Sequence, residues 1–129
     1  MMKLGYTIVY VADVPATVEF YERAFGLKRT FIHESNEYAQ METGSTALAF
    51  AFEGTEYLSA LKFRKNRMTD IAAGFEIAFI TEDVAHAYNI AIKAGAQPIS
   101  KPAEKPWGQT VAYVLDLNGI LVEICSPMA

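Results

Sequence analysis

Residues 105–125 read KPWGQTVAYVLDLNGILVEIC, and the rest of the chain can be arranged around them. Two runs rich in β-branched and aromatic residues, 110–115 and 120–125, flank Asp116-Leu117-Asn118-Gly119. Asn and Gly both tolerate positive φ, so the stretch reads as two strands joined by a tight turn. In the second strand Glu123 interrupts an apolar run. A carboxylate there lies on the wet face of a sheet or is buried with a partner, because an unpaired buried charge is very costly. Just upstream, Pro106-Trp107-Gly108 sets the only tryptophan on a loop. Its ring either closes the mouth of a cleft or plugs the core.

Working outward, residues 4–11 (LGYTIVYV) form a strand pattern. Asp13 then serves as a helix N-cap, with Pro15 tolerated in the first turn. Val14, Val18, Tyr21 and Phe25 recur on one helical face, and Gly26 ends the helix. Strands are expected at 28–33, 38–42 and 46–52, and 53–73 reads as a connector. Its Lys62, Arg64, Lys65 and Arg67 form either a solvated linker or an anion contact. From Phe75 the pattern restarts: a strand at 75–80, a cap at Asp83, an apolar helix face from Val84 to Ala94 and a closing Gly95. A short strand at 97–99 precedes the Trp107 loop. Asp13-Val14 and Asp83-Val84 stand seventy residues apart, which marks an internal duplication of a strand–helix–strand–strand–strand unit. Two copies are too few for a solenoid, so they are expected to pair within one domain spanning 1–129. Module one covers about 1–55, the connector about 56–73 and module two about 74–129.

Composition narrows the function. A chain of 129 residues can bury a core without staples. Apolar residues make up 52% of it, yet no apolar run is long enough to cross a bilayer. The N-terminal Met-Met-Lys leads straight into a strand without a cleavable signal, so a cytoplasmic location is expected. Cys125 is the only cysteine, so no internal disulfide forms, and it reads as a small buried hydrophobe. A net charge of −4 argues against nucleic acid or an anionic membrane as the main partner.

A doubled unit of this order, with YVADVPATVEFYERAFGL at its first turn and DLNGILVEI at its end, resembles the vicinal oxygen chelate superfamily. That group includes glyoxalase I, extradiol dioxygenases, fosfomycin-resistance enzymes and bleomycin-resistance proteins. The resemblance covers essentially the whole chain. It implies an α+β fold of two tandem βαβββ modules, paired as curved sheets into a half-open barrel around a cleft. It also implies a homodimer. Metal-dependent members place one ligand on the first and one on the last strand of each module, commonly two histidines and two glutamates.

Carried over residue by residue, the first-strand positions are Tyr6 and Glu76, where histidine is usual. The last-strand positions are Glu123, which matches, and Leu48, counted four residues after the turn glycine. His33 and His86 fall elsewhere, as surface or packing residues. Zinc and nickel favour imidazole and thiolate, so the substituted set suits at best a weak site for a harder ion, from Glu123, Glu76 and Tyr6. No cofactor is therefore expected, although a divalent metal remains an alternative. Without a cation, Glu76 and Glu123 either face one cleft and share a proton near neutrality, or point apart or bond to backbone and hold the barrel together.

The leading reading is a small-molecule-binding protein of the bleomycin-resistance type, holding a planar, partly cationic ligand without metal. Trp107 would stack on the ligand, Tyr6, Phe50, Phe52 and Leu48 would line the wall, and Glu76 with Glu123 would supply charge. Strand alternation puts Leu48, Phe50 and Phe52 on one face, either this wall or the contact with the helices. The alternatives are a divalent-metal lyase, isomerase or dioxygenase, and a metal-free acid–base enzyme using the glutamate pair. Whether catalysis occurs is left open by the sequence.

Overall fold

The computed structural model describes residues 1–128. Its elements run β1 (Tyr6–Val11), α1 (Val14–Phe25), β2 (Lys28–Ile32), β3 (Tyr38–Glu42) and β4 (Ala47–Phe52). A 3-10 turn at Glu56–Leu58 follows. The order then repeats as β5 (Glu76–Ile80), α2 (Val84–Lys93), β6 (Gln97–Glu104), β7 (Thr110–Leu115) and β8 (Leu121–Cys125). The fold is α+β, with two open four-stranded mixed sheets ordered β1-β4-β3-β2 and β5-β8-β7-β6. Two compact units divide the chain, residues 1–22 with 26–66, and residues 23–25 with 67 onward. In each sheet the first strand runs parallel to the last, while the other neighbours are antiparallel.

The caps behave as their chemistry dictates. Asp13 Oδ1 accepts from the Ala16 N–H at 3.0 Å, and Asp83 Oδ1 accepts from the His86 N–H at 3.0 Å. Gly26 closes α1 in the left-handed region at φ 68°. In the first unit, Val14, Val18 and Tyr21 of α1 are buried. The Tyr21 ring meets Phe50 of β4 at a centroid distance of 4.8 Å. Parallel register pairs Thr7, Val9 and Val11 with Leu48, Phe50 and Phe52, so these residues share the helix side of the sheet. In the second unit, α2 buries Val84, Tyr88 and Ala91. There Phe25 stacks on Phe79 at 5.1 Å.

Two local expectations change. The short strand at 97–99 is an eight-residue edge strand, Gln97–Glu104. Pro98 and Pro102 lie within it, which an edge tolerates because one side of its backbone needs no partner. Register shifts between Pro98 and Ser100 and between Ser100 and Ala103 accommodate them. In the 116–119 turn only Gly119 takes positive φ, at 80°. The buried Asp116 organises the turn instead, its Oδ1 accepting from Asn118 N–H at 2.8 Å and Ile120 N–H at 2.9 Å. The connector passes against this turn, so a Cβ on Gly119 would come within 2.6 Å of the Arg67 carbonyl oxygen.

Candidate functional site

Strand alternation carries the chemistry to the less buried face of the second sheet. Glu76, Ala78 and Ile80 of β5 alternate with Ile77 and Phe79, and the first set is the more exposed. Parallel register pairs Glu76 with Leu121 and Ala78 with Glu123. The two glutamates are therefore diagonal neighbours on adjacent strands, a spacing that long side chains can bridge. On the other side of β8, antiparallel register sets Tyr113 opposite Glu123. The Tyr113 hydroxyl donates to Glu123 Oε1 at 3.1 Å. Cys125 sits two residues on and faces the same way.

These neighbours separate the two carboxyls. The hydrogen bond with Glu123, then burial and the Glu123 charge, push Glu76 up to about 7. Burial would raise Glu123 too, but hydrogen bonds from Glu76, Cys125 and Tyr113, with the Lys105 charge, hold it below the usual carboxylate range. Near neutrality the pair thus shares one proton, with Glu76 the protonated member. Burial first, then the hydrogen bond to Glu123 and the charges of Glu123 and Glu76, push Tyr113 up to about 12. Burial, followed by the same carboxylates, takes the Cys125 thiol to about 11. Its single S–H can donate to Phe79 O at 3.6 Å or turn toward Glu123, and either way it stays protonated. Cys125 is thus an unreactive thiol.

Register corrects the fourth carried-over position. Glu123 pairs with the third residue of β5, and the third residue of β1 is Ile8, which pairs with Ala49. The counterpart of Glu123 is therefore Ala49. Leu48 lies one residue off and points to the opposite face. Counting from the turn glycine failed because Gly44 precedes β4 by one residue more than Gly119 precedes β8. Phe50 and Phe52 go with Leu48. Of the two readings open for this face, the ring contact of Phe50 with Tyr21 selects the helix side, so these three do not line a cleft wall.

Tyr6 opens β1 on the other face of the first sheet and is 59% exposed. Trp107 is 61% exposed, so it is not a core plug, and its Nε1–H donates to Gln109 Oε1 at 2.8 Å. Gln109 Nε2 in turn donates to Ser126 O at 2.9 Å, which ties the indole's loop to the chain just past β8. Trp107 stands beyond the start of β7. Tyr113 is three residues into that strand from Thr110, about 10 Å at strand rise. His33 and His86 are exposed. Tyr113 was missed in the sequence, although a register run outward from the 116–119 turn sets it opposite Glu123.

The donor set departs from the two-histidine, two-glutamate pattern of metal-dependent vicinal oxygen chelate proteins. Ala49 offers no ligand, and Tyr6 and Glu76 stand where histidine is usual. Among the described residues no three His, Cys, Asp or Glu side chains come together in a way that could hold an ion.

This architecture, a doubled βαβββ unit with carboxylates on the first and last strands of one copy, defines a glyoxalase-like protein. The sequence profile of the Glyoxalase/Bleomycin resistance protein/Dioxygenase superfamily matches residues 3–124, and the chain belongs to that superfamily. The uncharacterized protein YraH of Bacillus subtilis (strain 168) is 28% identical over 124 residues, covering 95% of this chain and 97% of YraH. A glyoxalase-related enzyme from Fulvimarina pelagi superposes with a TM-score of 0.83 at 19% identity, over 98% of this chain and 89% of that one. A glyoxalase/bleomycin resistance protein/dioxygenase family enzyme from Burkholderia phytofirmans PsJN gives 0.81 at 22% identity, over 97% and 98%. At such identities the two structures speak for the fold alone.

Proposed function

We propose that the chain is a small-molecule-binding protein of the bleomycin-resistance type, which holds a planar, partly cationic ligand without a resident metal. The observation that carries this reading is the Glu76–Glu123 pair on one face of the second sheet, within a chain of net charge −4. A cation replaces the shared proton and relieves the repulsion between the carboxylates. Tyr113 holds Glu123 in place, and the exposed Trp107 ring offers a stacking surface on the same unit. The protein acts as a homodimer in the cytoplasm. The exposed apolar side chains of Leu4, Tyr6, Ile80 and Ile99 support the dimer, and a lone buried thiol suits a reducing compartment.

Titration calorimetry with proflavine, a planar aromatic cation, against neutral anthracene-type isosteres tests the reading. The cation should bind at least tenfold more tightly, and Glu123→Gln should remove that preference, since a charge-assisted contact is worth about 1.5–3 kcal/mol. Equal binding of cation and isostere would sink it. A second reading, a metal-free acid–base enzyme, is favoured by one observation: Glu76 near 7 beside an anionic Glu123 is a proton donor and acceptor poised at neutral pH. Turnover that survives exhaustive chelation and is lost in Glu76→Gln would mark it out.

A further inference from the structure

A second concave site lies on the first unit, and neither glutamate of the pair lines it. Ile8 and Tyr10 of β1, Ala51 of β4, Tyr38 of β3, and Tyr57 with Leu58 of the 3-10 turn line a groove of about 440 Å³. That volume is in the range of small-molecule sites. Its depth has a sequence cause. On this face β4 carries Ala47, Ala49 and Ala51, at the positions where β8 carries Leu121, Glu123 and Cys125. Of these, Ala51 lines the groove, and its single methyl group keeps the floor low between larger side chains.

Two of the groove's side chains, Tyr38 and His33, are left as hydrogen-bond donors. Gln40 Nε2 donates to Tyr38 Oη at 2.8 Å, which occupies the phenol oxygen as an acceptor and leaves its hydrogen to point elsewhere. His33 sits at the rim. The Ser35 backbone N–H donates to His33 Nδ1 at 3.1 Å. A backbone N–H can only donate, so Nδ1 is the bare nitrogen and Nε2 carries the hydrogen in the neutral ring. Ser35 Oγ lies 2.8 Å from the same Nδ1 and accepts from the Glu37 N–H at 3.2 Å, which fixes this tautomer. The Glu37 carboxylate also lines the rim and disfavours an anion there.

We propose that this groove binds a neutral, planar two-ring aromatic molecule bearing a carbonyl oxygen. The rings lie between Tyr10, Tyr38 and Tyr57 over Ala51, and the oxygen accepts from Tyr38 Oη–H or His33 Nε2–H.

The probe is 2-acetylnaphthalene, compared with 2-isopropylnaphthalene, which lacks the acceptor, and with 2-naphthoate, which adds a negative charge. Saturation-transfer NMR and calorimetry read binding to the full chain. The ketone should bind saturably, about fivefold more tightly than the hydrocarbon, as one hydrogen bond allows, and more tightly than the carboxylate. Tyr38→Phe should cost about fivefold. Tyr57 is 86% exposed, so Tyr57→Ala folds normally and should cost a similar factor through the lost ring. Glu76→Gln should leave ketone binding unchanged, which separates this site from the carboxylate reading. No saturable ketone binding, equal binding of the hydrocarbon, or indifference to both tyrosine variants would overturn the proposal.

Discussion

Replacing Glu76 by glutamine should make the protein more stable in mild alkali and leave it unchanged in mild acid. Glu76 rises from 4.5 to about 7 on folding, chiefly through its hydrogen bond with Glu123. The folded state therefore holds this proton more firmly than the unfolded chain does. The resulting stability is fully present below about 4.5 and is lost as pH climbs to about 7. Glu123 moves the other way, so its contribution fades only below the ordinary glutamate range. Between pH 5 and 8 Glu76 contributes a falling slope, which comparison with the glutamine variant isolates. The full rise would be worth roughly 3 kcal/mol at about 1.4 kcal/mol per pH unit. Glu76 is exposed, however, and solvent screening should leave about 1 kcal/mol. Glutamine imitates the protonated acid at every pH. Its Tm should match wild type near pH 5 and exceed it by about 3–5 °C at pH 8, in differential scanning calorimetry at fixed ionic strength. Parallel curves across the range, or a variant less stable at pH 8, would mean that the two carboxyls do not share a proton.

Four further outcomes follow from single contacts. Asp116→Ala strips the acceptor from two buried N–H groups, and should lower stability by about 3 kcal/mol, read by urea denaturation. Gly119→Ala forces an L residue to φ 80° with its methyl 2.6 Å from the Arg67 carbonyl oxygen. It should cost at least about 2 kcal/mol, and a Tm within 1 °C of wild type, roughly a tenth of that penalty, would contradict it. Trp107→Ala should leave Tm nearly unchanged, because the ring is exposed, yet weaken a stacked planar cation by roughly five- to tenfold, followed in calorimetry. Light scattering at micromolar concentration should report a dimer, whereas a mass near 14.3 kDa would indicate a monomer.

What the sequence determined by itself is local. Asp13 and Asp83 reach N–H groups three residues away, Gly26 and Gly119 supply backbone conformations that other residues resist, and period-two runs specify strands. All of these act within a few residues, so element order, the duplication and the turn positions were legible without coordinates. Which face a strand shows to its neighbours depends on register, and register rests on partners far away in the chain. A one-residue difference between the β3–β4 and β7–β8 turns moved the counterpart of Glu123 from Leu48 to Ala49. The same alternation sent Phe50 against Tyr21 rather than toward a ligand. Tyr113 gained its role only when β7 was laid beside β8. The groove over Ala51 needed β1, β3, β4 and the 3-10 turn together. Only the tertiary structure decided these points, because a side chain's direction is a property of the sheet it joins and its ionisation a property of the neighbours that sheet provides.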